Sequence, residues 1–559
     1  MNKISFSVGQ AAGVAVMSVN ADATLTNTSG GASVFAGLVI SRRGAPGKVL
    51  KVDDTTYQSV LGSPIHPRLG AAFEPYRHVE RAVKGGSGYV VRVCAKDMKV
   101  PGISVSVVGR AKAAKASKEL SVEPTETTVN PGDTLSVGVA STVTTRVEEK
   151  RIRSEVFTPK ETPQIKGDEK ALFFIKDGDA SQNRTLSLTR DNEESELFTL
   201  TLKEKQTDGS IEVLESHQVS FNPEGTNDMG QPAWIPTLLE SQSTRIGAVL
   251  ADDAEASAAQ LIFEDVAFEG GTDGDLSTIN TEDYLEALKV LEASEVNYTA
   301  LLSLGCYDAS ALAAIKKLAE DVRVDMFYDL KGNQTPENAI SEAKSHSFGG
   351  SHQPSRYYFP LSCRDTFTGM NVVYGISCDA FVAKAKGVAL VPDVGGWHYA
   401  PAGISRAIID RQNIARIPNI GAVDREAFVL ARINPVSVAA DGSVYIDDSL
   451  TTYSKNNYLR FQHVSSLMNA IARDFYEVAQ AIKHEPDGIT KETLMKAMTE
   501  LLDRYVAAGA LVTPRDKSQG EDPYVVQVVQ KDIDLWEVSW SVCPTGTARR
   551  IVGKPILMR

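Results

Sequence analysis

From Val464 to Ile482, apolar residues return every three or four positions: Val464, Leu467, Met468, Ile471, Phe475, Val478 and Ile482. That spacing draws one apolar stripe down a helix. The helical segment opens near Asn456, and Pro486-Asp487-Gly488 parts it from a second amphipathic helix. The second starts at Thr490, turns Leu494, Met498, Leu501, Leu502 and Tyr505 inward, and stops at Gly509, which supplies the left-handed turn that ends helices. Two strand patterns follow, Tyr524 to Val529 and Leu535 to Val542. The chain then closes on a basic stretch carrying Ile551, Val552, Ile556, Leu557 and Met558. A chain end so rich in apolar residues is expected to dock into a partner.

Upstream the pattern changes twice. Residues 1–24 alternate weakly (Ile4, Phe6, Val8, then Val14 and Val16) among small polar residues, which predicts an extended arm. From Ser33 to Ile40 a continuous apolar run predicts a buried strand. A turn at Arg43-Gly44-Ala45-Pro46-Gly47, short helices over 57–61 and 76–83, and a strand over 89–94 come next. Between 98 and 242 the texture is Thr, Ser, Glu and Val, with turn signals at Asn130-Pro131-Gly132-Asp133, Asp177-Gly178-Asp179 and Thr207-Asp208-Gly209. Alternation at Leu186–Thr189, 197–202 and 211–214 predicts half-exposed strands of an inserted all-β domain. The stretch Pro223 to Pro236 is expected to be its exit linker. From Thr244 strands and helices alternate (helices over 283–293 and 310–321, strands over 298–304 and 324–329), which predicts a mainly parallel sheet shared with 32–97.

The expected fold class is therefore mixed α/β multidomain. It comprises an N-terminal arm (1–24), the first half of an α/β core (25–97), an inserted β-rich domain (98–242) and the second half of the core (243–415). A C-terminal α+β domain with two amphipathic helices (416–535) and a C-terminal strand and arm (536–559) complete it. At 559 residues the chain exceeds one core. Its 42% apolar and 23% charged content is that of an ordinary globular protein.

Charge and chemistry narrow the function. A formal charge of −13 argues against nucleic acid as a partner, because neutralising phosphates takes surplus Lys and Arg. No apolar run reaches the roughly 18–20 residues that cross a bilayer, so no membrane insertion is expected. Ser5, Ser7, Gly9 and Gln10 interrupt the N-terminal apolar residues, so a secretory signal is not expected either. Five scattered cysteines (Cys94, Cys306, Cys363, Cys378, Cys543) fit free thiols in a reducing cytoplasm.

Gly85-Gly86-Ser87-Gly88 precedes a strand, whereas a phosphate loop opens a helix, so it is read as a turn. Gly270-Gly271-Thr272-Asp273-Gly274 lacks the further acidic ligands of a calcium loop. No His pair has metal-ligand spacing, and no Ser or Cys has an evident base. No catalytic, cofactor-binding or metal residue is assigned, and no cofactor is expected.

The order of elements is similar to the contractile tail sheath proteins of myophages and phage-tail-like particles. Val34-Phe35-Ala36-Gly37 with the turn at Arg43–Gly47 resembles that family's first strand. Gly85–Gly88 running into Tyr89-Val90-Val91-Arg92-Val93 resembles its glycine-rich approach to a "YVVRV" strand. Phe268-Glu269-Gly270-Gly271-Thr272-Asp273-Gly274 resembles its "GG-x-DG" turn. Ile433-Asn434-Pro435, Ser443-Val444-Tyr445-Ile446, the helix from Tyr458 and Ala508-Gly509-Ala510-Leu511 resemble its C-terminal domain. The match spans nearly the whole chain outside 98–242. It departs at Asn456-Asn457-Tyr458-Leu459, where the family writes Trp-Arg-Tyr. It departs again at Gly13-Val14-Ala15-Val16, which only echoes the family's acidic arm motif.

The resemblance implies a structural, non-enzymatic subunit that stacks as hexameric rings around a tail tube and contracts to drive the tube through a host envelope. Its partners would be other copies of itself, the tube protein, and baseplate and tail terminator proteins. It would reside in a virion tail assembled in the bacterial cytoplasm. Arms at both ends would add strands to neighbouring copies. The residues expected there are Ile4, Phe6, Val8, Val14, Val16, Trp536, Val538, Trp540, Val542, Ile551 and Val552. Charged residues of the first long helix (Arg460, Arg473, Asp474, Glu477, Lys483) would face the tube. The alternatives are another virion assembly protein (baseplate, capsid or surface-layer component), or a hydrolase or glycan-binding protein with its site in the β-rich insertion.

Overall fold

The computed structural model describes residues 32–112, 145–159, 169–177, 183–190, 196–206, 208–250 and 261–550. The chain divides into two compact units, Lys99–Thr272 and the remainder. The expected arm residues Ile4, Phe6, Val8, Val14, Val16, Ile551 and Val552 lie outside the described residues.

The larger unit begins with β1 (Phe35–Val39), β2 (Val49–Val52), α1 (Tyr57–Leu61), α2 (Glu74–Ala82) and β3 (Gly88–Arg92). β1 is buried on both faces. Ala36 and Leu38 enter one apolar cluster, and Phe35 and Val39 enter the other. Burial of both faces is why its sequence is a continuous apolar run with no alternation.

The smaller unit follows: β4 (Val100–Lys112), β5 (Thr145–Phe157), β6 (Glu169–Asp177), β7 (Arg184–Thr189), β8 (Leu197–Lys205), β9 (Ile211–Ser220), α3 (Ile235–Gln242), β10 (Ile246–Leu250) and β11 (Phe263–Ala267). Its two antiparallel sheets run β10-β6-β4-β5 and β11-β7-β8-β9. They enclose Ile103, Val105, Leu186, Leu200 and Leu202. Composition marked its end at 242, yet the unit runs on to Thr272 because β10 pairs with β6 and β11 with β7. The last two residues of the expected exit linker, Ile235 and Pro236, open α3, whose Ile235, Leu238 and Leu239 enter the same core.

The chain then returns through α4 (Thr281–Ala293), β12 (Ala300–Leu302), α5 (Ala309–Val322), β13 (Asp325–Leu330), α6 (Pro336–Ser345) and β14 (Pro354–Tyr358). β15 (Leu361–Arg364), β16 (Asn371–Val372), α7 (Ser377–Val388), β17 (Gln412–Arg416), α8 (Arg425–Leu430) and β18 (Ile433–Asn434) follow. Seven strands form one sheet in the order β18-β14-β13-β12-β1-β3-β2, parallel except for β2.

Side-chain caps start α4, α5 and α6. Asn280 and Asp283 close a capping box on α4, Asp308 caps α5, and Thr335 precedes Pro336 on α6. α7 has no cap of its own. Instead the buried Asp329 carboxylate of β13 accepts the N–H groups of Ile376 (2.7 Å) and Ser377 (2.9 Å). The residue before them must be Gly375, because a Cβ there would lie 2.0 Å from Asp329 Cγ. The loop leaving β12 closes on α2: Tyr307 donates to Glu74 (2.6 Å), and Arg77 grips Asp365 with two bonds (3.0 and 2.9 Å).

Lys99 and Thr272 exchange two main-chain hydrogen bonds (2.9 and 2.8 Å), so the smaller unit leaves and returns at one point. Just outside that point the larger unit is stapled by itself. Arg92 (2.8 Å) and Arg42 (3.3 Å) hold Asp273, and Asp97 accepts the N–H of Asp275 (3.0 Å). Gly274, at φ +71°, sits so close that a Cβ would lie 2.4 Å from Asp97. Replacing Lys99–Thr272 with two glycines is expected to leave a soluble protein with one cooperative thermal transition. Circular dichroism during a melt checks this, and loss of the transition contradicts the staple. Asp273→Ala, which removes the carboxylate paired with the buried Arg92, is expected to cost about 3–5 kcal/mol in urea unfolding.

Candidate assembly surface

β19 (Val436–Val438) and β20 (Val444–Ile446) form a short hairpin packed on the core. The chain then enters α9 (Gln462–Ile482), α10 (Asp487–Ala507), β21 (Tyr524–Asp532) and β22 (Leu535–Val542). α9 begins after a single 3-10 turn at Tyr458–Arg460. Every residue from Gln462 to Phe475 is buried, although half that stretch is polar.

The reason is Asp325, at the start of β13. Its carboxylate accepts hydrogen bonds from Gln462 (3.1 Å), Ser466 and Asn469 (2.8 Å), which share one face of α9. Ser465 donates to the carbonyl of His352 (2.7 Å), and Arg473 reaches the carbonyl of Arg323 while its guanidinium lies over the Trp397 ring. Lys384 of α7, almost wholly buried, donates to the carbonyls of Trp397 and Tyr399.

Burial shifts Asp325, Lys384, His352 and His463 away from their charged forms. Asp325 is raised, with Lys384, Ser466, Asn469 and Arg473 opposing the shift. Lys384 is pushed down to about 7, partly restored by Asp325. His463 and His352 are each pushed down to about 3, with Lys384 and Arg323 respectively adding to the burial cost.

The other face of α9 is apolar along its whole length: Val464, Leu467, Met468 and Ile471 share a cluster with Leu502 and Tyr505 of α10, Val542 of the hairpin, and Val388, Val394 and Trp397. Phe475, Met498 and Leu501 of the helix pair meet Val526, Val538 and Trp540 of the hairpin, and Ile482 and Leu494 meet Val528. The Trp540 ring lies 4.6 Å from that of Phe475. Yet Val526, Val538 and Trp540 stay partly exposed.

β21 and β22 pair from Tyr524↔Val542 to Asp532↔Leu535 and form a sheet of two strands among the described residues. The N–H of Cys543 donates to the carbonyl of Pro523, which makes 523↔543 a hydrogen-bonded pair. Antiparallel ladders alternate, so the main-chain groups of Val538, Trp540 and Val542 on one strand, and Tyr524, Val526 and Val528 on the other, point away from the hairpin. Both long edges therefore present a template for a further strand. Below the hairpin, 543–545 bond to 510–512, and Arg549 forms a two-bond ion pair with Asp448.

The residues singled out in the sequence fall into different places. Trp536, Val538, Trp540 and Val542, expected to lie in a donated arm, sit in β22, a strand of the chain's own hairpin. The strand Tyr524–Asp532 satisfies one side of them. Among the expected tube-facing charges, Arg473 and Asp474 are buried and tied to Arg323 and Tyr505, so within this fold they face no solvent. Glu477 is exposed, and Arg460 and Lys483 are partly so.

Sequence reasoning missed Asp325, Lys384, His352 and the polar face of α9. Its one available signal was Gln462, Ser466, Asn469 and Arg473 recurring at helical spacing. All five cysteines are free thiols, with Cys306, Cys363 and Cys378 buried. Among the described residues no group of three or more His, Cys, Asp or Glu could hold a metal ion, and no helix is long and apolar enough to cross a membrane.

No family model matches this chain, and no curated protein is similar to it in sequence. Among solved structures it is similar to tail sheath proteins. The sheath tail protein from Listeria innocua is 10% identical over 92% of this chain and 96% of that one, with a TM-score of 0.47. That from Desulfitobacterium hafniense is 11% identical over 93% and 99%, with a TM-score of 0.42. The helical sheath of the anti-feeding prophage in its contracted state is 12% identical over 98% and 99%, with a TM-score of 0.46.

Asp325→Ala strands three buried side-chain donors and is expected to lower unfolding stability by about 3–5 kcal/mol. Glu477→Gln, on the exposed side of the same helix, is expected to change it by less than about 0.5 kcal/mol. Urea titration of both proteins checks the contrast.

Proposed function

We propose that the chain is a structural subunit that polymerises by strand exchange at the β21–β22 hairpin, as the building block of a contractile tail sheath. One observation carries this reading. A two-stranded hairpin roofs a pair of helices, and its open edges carry main-chain donors and acceptors above partly covered apolar side chains. Two strands span roughly 10 Å, whereas two packed helices span roughly 20 Å. Strands from other copies of the chain would cover what the hairpin leaves open and pair its edges.

The occupants of those edges would be residues 1–24 and the last residues of the chain, whose apolar patterns suit extended pairing. Stacked hexameric rings around a tube, with baseplate and terminator proteins at the ends, follow from the residue-level resemblance to contractile sheaths. A virion-tail location does too. Work would then come from repacking contacts between subunits, with no active centre. In the helical direction the contact is heterologous and does not close. Exposed charges such as Glu477 contribute about 0–1 kcal/mol each, so many weak contacts would hold one lattice yet release it.

The purified protein is expected to form hollow tubes visible by negative-stain microscopy. Deleting residues 1–24 should leave folded, monomeric protein. Normal tubes from that truncation would rule out the arm mechanism. Val538→Pro removes an N–H that the hairpin does not use. Sedimentation should show assembly lost while the thermal transition stays within a few degrees of the parent.

A further inference from the structure

One face of α9 docks onto the parallel sheet through polar groups, whereas its apolar face packs with α10, the hairpin, and Val388, Val394 and Trp397. The two junctions answer to different conditions. Hydrophobic burial is nearly indifferent to pH, but a hydrogen-bonded seam built around neutral imidazoles is not.

Two histidines hold the seam from opposite sides. The Ser465 hydroxyl proton goes to the His352 carbonyl, so His352, ahead of β14, donates Nδ1–H to Ser465 Oγ (2.8 Å), with Gln353 beside Nε2 (3.2 Å) and the Tyr453 ring on its edge. His463, on α9, stacks on Phe461, and its Nε2 has no hydrogen-bond partner among the described residues. The titratable groups facing them are mostly bases, of which His398 is itself pushed down to about 4 by burial, Lys384 and Arg406. Arg323 from the end of α5 faces His352, and Lys384 from α7 with His398 from the following loop face His463. Arg406 faces Lys384 and His398, and Arg473 lies farther along α9. The anions are Asp325 from β13, which already accepts three bonds, and Asp474, which accepts one from Tyr505 of α10. A proton added to either imidazole thus meets buried positive charge.

We propose that the Asp325 seam is an acid-released latch: protonating His352 and His463 frees α9, α10 and the β21–β22 hairpin, as one body, from the parallel sheet. This proposal is independent of what the hairpin edges bind.

The sign follows from linkage. Each histidine is held at about 3 in the closed state against 6.5 when free. Its contribution to closure is whole above 6.5 and is lost as pH falls towards 3. Lys384, also depressed, acts in the same direction between 10.5 and about 7. Asp325, raised by burial, takes up a proton in the closed state and opposes release. Between pH 7.5 and pH 5 each histidine alone multiplies the opening constant by about thirty.

Hydrogen exchange of the full chain, read by mass spectrometry and corrected for intrinsic rates, tests this. On acidification to pH 5, amides of α9, α10 and the β21–β22 hairpin should lose protection together while those of β1, β12 and β13 keep theirs. Unchanged protection in α9, or loss in α9 and β13 together, would overturn the latch. In His352→Gln with His463→Gln the α9 opening constant should lose most of its pH dependence, whatever its value at pH 7.5. A slope as steep as the parent's would sink the assignment to these two residues. Each single variant should remove about half of the logarithmic change, and the parent protein alone suffices to refute release as a body.

Discussion

A single buried carboxylate fixes the geometry of α9 and of the elements that follow it. Asp325 opens a strand in the middle of the parallel sheet and takes three side-chain donors from one face of α9. Apolar contact alone would let a long helix slide or rotate at little cost, since such contacts are non-directional. Hydrogen bonds at defined spacing do not allow this. A one-residue shift would turn Gln462, Ser466 and Asn469 off the carboxylate and leave all of them unmet in a dry interior. Whatever the hairpin binds, its direction is therefore set from the core, through α9 acting as a rigid strut.

Burying that carboxylate is unfavourable in itself, as its raised pKa records, and the molecule offsets the cost with neighbours. Lys384 provides the countercharge while spending its own protons' bonds on the carbonyls of Trp397 and Tyr399. The same economy recurs at Asp329, which substitutes for a missing helix cap, and at Asp379, which lies between Arg81 and Arg411. In each case a charge is enclosed only where it also organises the end of a secondary element. The sheet's own strands need no such help. Ala36, Leu38, Met326 and Tyr328 are buried among apolar neighbours on one face, and Phe35, Val39 and Phe327 on the other.

How much of this the amino-acid sequence disclosed varies with the range of the interaction. The stripe Val464–Ile482 and the strand–helix alternation after Thr281 were legible because each is written within a few consecutive turns. Strand partners were not. Nothing local to Phe263–Ala267 says that it returns to pair with β7, so composition marked the insertion's end too early. Trp536, Val538 and Trp540 announced a strand, but not that Tyr524–Asp532 would take one side of it and leave the other open. The docking face of α9 escaped notice for a different reason. Periodicity analysis weighs apolar residues, and here the buried face is built from Gln, Ser, Asn and Arg, whose partner lies 137 or more positions away. Arg473 and Asp474 looked like a solvated charge pair and are interior.

The gateway at Lys99 and Thr272 has a consequence for how such a chain can diversify. Residues joined by a reciprocal pair of main-chain bonds have their Cα atoms roughly 5.5 Å apart. Any autonomous module whose two termini emerge at that separation could be grafted between Met98 and Asp273 without moving the scaffold that receives it. The locus behaves as a socket. What is plugged in can change in size and surface chemistry over generations, while the machinery on the other side of Asp273 remains as it was.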